Sequence, residues 1–350
     1  MEMMDMEKYD YTLPKGLIRK EGIEPRDSAR LFIYDTKTDT VTFDIFRHIA
    51  KYLSPQSLMI LNDTRVLPAR LWLTKETGGK IEVFVLANEI EDEEYIPVLV
   101  DRKTNVGQKL TFPSGDYFEV VGQKENMFFV RVVSHAGESL QTLLHKYGQT
   151  PLPHYLEGAK TKEDVLRKRY QTVFAKEGAS VAAPTASLHF TDTVFASLAK
   201  KNIGIDFVTL DVGLGTFASL TSDNFRTKKL HTEFITLAPG TREHINIAKQ
   251  AGHPIIAVGT TALRTIESLA KNHQIVFQKD RTDIFIYPPY EFQIADILIT
   301  NFHLPKTSLM FLVDAFLQDK KAKKNIVELY NRAIENHFSF YSFGDSMLIL

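Results

Sequence analysis

The sequence predicts an α/β fold: a layered α/β domain with a largely parallel sheet, carrying an inserted β-domain of six short strands. Short strand-like runs crowd the stretch from about Ala69 to Val133, and alternating strand and helix patterns run from Thr191 onward. The first region interrupts the second. The implied boundaries are residues 1–68 and 151–350 for the α/β domain and 69–150 for the insertion. A chain of 350 residues, 44% hydrophobic and 24% charged, has enough apolar material for two cores.

In the insertion, ARLWL, KIEVFVL, YIPVLV, KLTF, YFEVVG and FFVRVV read as strands, and KIEVFVL alternates in character after the turn Thr77-Gly78-Gly79. Six short strands at close spacing suit a small barrel or a sandwich. A helix is expected from Glu138 to Tyr147, with Leu140, Leu143 and Leu144 on one face and Gly148 beyond its end. Thr191 has the place of an N-cap, ahead of an apolar face made by Val194, Phe195 and Leu198. IDFVTL, PIIAVGT, IFIYP and ILIT read as strands. Helices are expected at about Thr241–Ala251, Thr261–Lys271, Lys306–Leu317 and Lys324–Asn336.

Composition excludes several chemistries. With no cysteine there are no disulfides, thiolate metal sites or cysteine nucleophiles. A net charge of −1 does not announce a polyanionic partner. Local basic stretches, KTKEDVLRKR at Lys160–Arg169 and the pair Lys228-Lys229, either contact phosphates or form solvated faces. The N-terminal MEMMDMEKYDY is acidic and lacks the apolar core of a signal peptide. No apolar run approaches the roughly 20 residues of a membrane helix, so a cytoplasmic protein is expected.

Several loops carry residues suited to chemistry. VAAPTASLHFT, residues Val181 to Thr191, combines small residues, hydroxyls and His189 just before a helix. DVGLGTF, after the strand IDFVTL, offers two glycines that let backbone N–H groups approach a ligand, or else make a tight turn. In VGTTALRTIES a strand ends at Gly259 and two threonines open a helix bearing Arg264 and Glu267. That helix start could hold a carboxylate or phosphate, or be a capped helix with a surface ion pair. His189, His231 (beside Glu233) and His303 could each serve as a general base or be structural. Their spacing is not that of metal ligands, so no metal is expected, and without GxSxG a serine hydrolase is not indicated. Asp63, Arg65 and Arg70 in NDTRVLPAR stand at the junction with the insertion, where arginines take phosphate or tie domains together.

The ordered series LNDTRVLPARL, KETGGKIEV, TPLPHY, RYQTVFA, AAPTASLHFT, FVTLDVGLGTF, LHTEF, AVGTTALRTIES, TDIFIYP, LITNFHLPKTSLMFLV and FYSFGDSMLIL runs along nearly the whole chain. Together these motifs closely resemble the S-adenosylmethionine:tRNA ribosyltransferase-isomerase family of queuosine biosynthesis. The resemblance implies an α/β domain with an inserted six-stranded barrel. It also implies transfer of the ribosyl part of S-adenosylmethionine to 7-aminomethyl-7-deazaguanine at the tRNA wobble position. The product is epoxyqueuosine, and adenine and methionine are released. The implied partners are S-adenosylmethionine, consumed as a co-substrate, and a tRNA carrying that base. No cofactor, metal or membrane is implied. The oligomeric state stays open, and a monomer is compatible with the sequence.

The resemblance suggests roles for these loops. His189 is the first candidate for the base, with Thr185 and Ser187 lining the nucleoside pocket and Gly213, Gly215 and Thr216 meeting the same ligand. Thr260, Thr261 and Arg264 suit the methionine carboxylate or a tRNA phosphate. His231 with Glu233, and Asp345, are further acid/base candidates, and Arg65, Arg70 and Arg169 are candidates for the tRNA backbone. The chain departs from the family pattern at Ser187, where glycine is usual, at Asp211, where histidine is usual, and over Asp101-Arg102-Lys103-Thr104. Those departures admit an alternative: a divergent paralogue that binds a nucleoside or RNA with altered or lost catalysis.

Overall fold

The protein is described here from a computed structural model, which covers residues 6–152, 161–176, 178–213 and 220–350. Strands β1 (Arg30–Asp35), β2 (Thr40–Ile45) and β3 (Leu58–Asn62) come first. Six strands of the insertion follow: β4 (Arg70–Lys75), β5 (Lys80–Val85), β6 (Ile96–Val100), β7 (Lys109–Thr111), β8 (Tyr117–Lys124) and β9 (Met127–Val133). Helices α1 (Leu140–Tyr147), α2 (Glu163–Arg169) and α3 (Asp192–Lys200) lead to β10 (Gly204–Leu210). Then come α4 (Ser222–Thr227), β11 (Lys229–Leu237), α5 (Thr241–Gln250), β12 (Ile255–Val258) and α6 (Gly259–Ser268). The short strands β13 (Ala270–Lys271) and β14 (Gln274–Ile275) precede β15 (Lys279–Ile284) and β16 (Ile297–Asn301). Helices α7 (Ser308–Asp319) and α8 (Ile326–Glu335) and strand β17 (Ser346–Ile349) complete the order.

Nine strands form the large sheet, in the order β15-β11-β10-β3-β12-β16-β17-β1-β2. The expected largely parallel sheet is instead mixed. The pairs β10–β3, β3–β12, β12–β16 and β17–β1 are parallel, while β15–β11, β11–β10, β16–β17 and β1–β2 are antiparallel. For β1–β2 connection length gives the reason, because parallel neighbours need a long crossover and a tight turn can join only antiparallel ones. The tight β1–β2 turn, where the Asp35 carboxylate accepts from the N–H groups of Lys37 and Thr38, leaves no other choice.

The middle of this sheet is buried on both faces, as central α/β strands are. Ile60, Ala257 and Leu298 pack with Leu263 of α6 and Phe311 of α7. Met59, Leu61 and Val258 pack on the opposite face with Val194 and Leu198 of α3. Thr191 caps α3 as expected, its hydroxyl accepting from the Val194 N–H. The expected IFIYP strand lies earlier in the chain, ending at Ile284.

The six strands of the insertion pair antiparallel in the order β4-β5-β6-β9-β8-β7, and β7 returns to β4 so that the sheet closes. Alternation along each strand explains its core. In β4, Leu71 and Leu73 point inward while Trp72 is exposed, and Ile81, Val83, Val98, Phe118 and Val130 meet the leucines inside. Closure leaves no unpaired edge to attract another chain.

Candidate active site

Strands β10, β3, β12 and β16 run parallel and so end on one edge of the sheet. Ligands collect at the carboxyl ends of such strands. A cavity of about 620 Å³ lies there, walled on its other side by Arg70, Glu82, Phe84 and Asp101 of the closed sheet.

At the floor, β12 passes directly into α6. Gly259 makes the turn at φ +85°, a left-handed conformation that glycine adopts without strain. Val258 supplies no side-chain cap to the helix, so the first N–H groups of α6 are left for other acceptors. Thr260 and Thr261 line the cavity, and the buried Thr261 hydroxyl has no hydrogen-bond partner among the described residues.

Beside them, Asn301 closes β16. Its Oδ1 accepts from the Thr185 hydroxyl at 2.8 Å, while its buried Nδ2 has no partner among the described residues. Asn301 was missed by sequence reasoning. The available signal was an amide ending the apolar run ILIT. His303 also lines the cavity, with Nε2 2.9 Å from the Thr300 hydroxyl. Burial pushes its imidazole down to about 3, so it is neutral near pH 7.

A smaller cavity adjoins the first through Ser308 and Leu309 and is lined by His231, Glu233 and Arg264. Arg264 Nη1 donates to Glu233 Oε2 at 2.5 Å, and Glu233 Oε1 accepts from the Gly213 N–H at 3.1 Å. The Arg264 partner is therefore Glu233 rather than Glu267. Glu267 instead accepts from the N–H groups of Gln293, Ile294 and Ala295. Gly213 is held close to the closed sheet, where an added Cβ would lie 2.7 Å from Asn88 Nδ2.

Of the other described candidates, all but Arg70 are placed apart from the main cavity. His189 is buried in a side pocket with Arg26, Arg169 and Ser342, and Ser342 also borders the main cavity. Burial lowers the His189 imidazole to about 4, opposed by a hydrogen bond to the Arg26 backbone, and its Nε2 has no partner among the described residues. Ser187 is fully buried behind Thr185. The Asp345 carboxylate accepts from the N–H groups of Arg30 and Ser339, and burial raises it. Arg65 donates to the backbone carbonyls of Lys176 and Ala175. Arg70 lies in the main cavity wall 3.6 Å from Glu82. Gly215 and Thr216 lie outside the described residues.

A single family model, described as "Queuosine biosynthesis protein", matches residues 6–349. The chain belongs to that family. Among its relatives, a protein of Clostridium kluyveri is 41% identical, covering 99% of this chain and all of its own. One of Vesicomyosocius okutanii is 40% identical, covering 99% of this chain and 98% of its own. Both are named S-adenosylmethionine:tRNA ribosyltransferase-isomerase. Among solved structures, the S-adenosylmethionine tRNA ribosyltransferase of Thermotoga maritima matches with a TM-score of 0.53 at 29% identity, covering 98% of this chain and 100% of that one. Family membership agrees with a mixed α/β fold holding a polar-floored cavity at the ends of parallel strands. Among the described residues no helix is long and apolar enough to cross a membrane.

Proposed function

We infer that this protein is an S-adenosylmethionine:tRNA ribosyltransferase-isomerase of queuosine biosynthesis. It moves the ribosyl unit of S-adenosylmethionine to 7-aminomethyl-7-deazaguanine at the tRNA wobble position, forms epoxyqueuosine, and releases adenine and methionine. The observation that carries this reading is full-length identity of about 40% to relatives bearing that name. The cavity supports it. About 620 Å³ suits a nucleoside-sized ligand, and Thr261, Asn301 and His303 offer polar groups to it. S-adenosylmethionine is then a co-substrate consumed in the reaction, with no separate cofactor or metal, and the tRNA substrate makes the cytoplasm the site of action. The same reading takes residues 1–68 and 151–350 as the catalytic α/β domain and 69–150 as a barrel domain inserted into it. Pairing of β4 to β9 among themselves supports that division.

The sulfonium acidifies the adjacent 5′ carbon, so the first need is a proton acceptor, then an acid for the departing adenine. In this reading His303 and Asp101 face the cavity and handle protons there, while His189 acts from behind Ser342. The divergent-paralogue alternative is not favoured, because full-length relatives about 40% identical carry the ribosyltransferase-isomerase name, and two of the residues that motivate it have structural work. Asp211 accepts from the Thr64 hydroxyl and the Ala179 N–H, and Ser187 is packed away from the cavity. The decisive experiment incubates the protein with S-adenosylmethionine and tRNA carrying the aminomethyl base. Adenine release matched by a cyclopentanediol adduct on the tRNA is expected. A folded protein that binds both substrates and releases no adenine would remove the reading.

A further inference from the structure

Arg264 is only 5% exposed, yet two of its three guanidinium nitrogens, Nε and Nη2, have no hydrogen-bond partner among the described residues. These two are the nitrogens that share one edge of the planar group. Nη1, on the other side, is taken by Glu233 Oε2. A guanidinium edge of this kind presents two parallel N–H bonds, matched in spacing to the two oxygens of a carboxylate. Leaving both donors buried without an acceptor is costly, so the edge is built for a ligand oxyanion.

The surroundings narrow the choice. The small cavity at Arg264 is otherwise mostly apolar, with Leu230, Ile284, Phe285, Ile286 and Leu312 in its walls, and it meets the main cavity at Ser308 and Leu309. Thr261, three residues earlier on α6, faces the main cavity, so the two sites are one helical turn apart. A narrow apolar recess accepts the end of a chain. A phosphodiester, flanked on both sides by sugars, needs an open groove. Accepting the reading of function above, the geometry points to the Arg264 Nε/Nη2 edge as the subsite for the α-carboxylate of S-adenosylmethionine. The nucleoside then lies over Thr261 and Asn301, and Glu233 is a positioning residue that fixes the guanidinium plane.

The test is a cycle in which substrate and protein are each cut once. Affinities of S-adenosylmethionine and its decarboxylated analogue are measured by calorimetry on the full chain and on Arg264→Lys, which keeps the charge and loses the fork. Calorimetry requires no turnover, so adenine release is scored separately and can fail without deciding this question. The wild type is expected to prefer the carboxylated ligand by roughly 10- to 100-fold, and the variant to lose most of that preference with tRNA affinity unchanged. The analogue acts on the unaltered protein, so equal affinity of the wild type for both ligands overturns the proposal whether or not the variant folds. An undiminished preference in a folded Arg264→Lys also overturns it. So does a fall in tRNA affinity and its salt dependence with the preference intact, an outcome that gives the edge to a phosphate.

Discussion

The two halves of helix α6 bury charge in opposite ways. Toward its C-terminus, Glu267 is 3% exposed and accepts three backbone N–H bonds, from Gln293, Ile294 and Ala295. One turn earlier Arg264 is equally deep but, among the described residues, keeps one partner, and Thr261 keeps a hydroxyl with none. The helix is one element with one sequence pattern, so local propensity does not account for the difference. What separates the halves is that one end abuts a loop with donors to offer and the other abuts a cavity. Burial with complete pairing marks a residue that holds the fold, and burial with donors unmatched marks one that waits for a ligand.

The largest effect should come from the paired end. Glu267→Ala strands three N–H groups and is expected to cost about 3 kcal/mol of stability. Urea unfolding would measure that loss, and an unchanged S-adenosylmethionine affinity in the folded fraction would confirm that the role is structural.

Acid should act next, through the two neutral histidines. His189 and His303 have imidazoles lowered to about 4 and about 3 by burial, whereas the unfolded chain binds a proton near pH 6.5. Their contribution is therefore intact above pH 6.5 and is lost as pH falls toward 4. Each histidine accounts for about 2 kcal/mol by pH 5. Thermal unfolding between pH 7 and 5 would follow this, and His189→Gln should flatten part of the slope. An unaltered slope would mean that His189 is protonated in the folded protein.

At the cavity, Asn301→Ala is expected to lower kcat/KM roughly 10- to 100-fold while changing stability by no more than about 1 kcal/mol. A large stability loss with normal turnover would move Asn301 to the structural class. The smallest change in stability belongs to Thr261→Val, which replaces an unmatched hydroxyl with a methyl of similar shape. Stability should hold within about 0.5 kcal/mol while affinity for S-adenosylmethionine falls.

The sequence marked the strands of the insertion because alternation is written locally, in runs such as KIEVFVL. Strand direction is not local, which is why the large sheet was expected to be mostly parallel. That β17 lies parallel to β1 and antiparallel to β16 depends on where distant segments meet. The candidate site shows the same division. The place of Gly259, Thr260, Thr261 and Arg264 at the two cavities was legible from a strand running into a helix, since that junction borders both. His189 looked exposed to chemistry because it follows small and hydroxylated residues, yet Phe46 and Phe190 enclose that turn. Glu233 as the partner of Arg264 lies 31 positions away, beyond any helical spacing.

Strand β17 lies inside the sheet, between β16 and β1. Among the described residues, the β1–β2 hairpin therefore pairs with the rest of the sheet only through β17; Thr36 and Leu350, which bond across this seam, are 314 positions apart. On a ribosome the hairpin is made long before its sheet partner β17, while the cavity-forming strands β3, β10, β12 and β16 can assemble in between. The order of synthesis thus lets the cavity end of the sheet form before β17 joins the hairpin to it. A chain stalled before Ser346 would carry most of the site on an open seam, where a second hairpin could pair in place of its own.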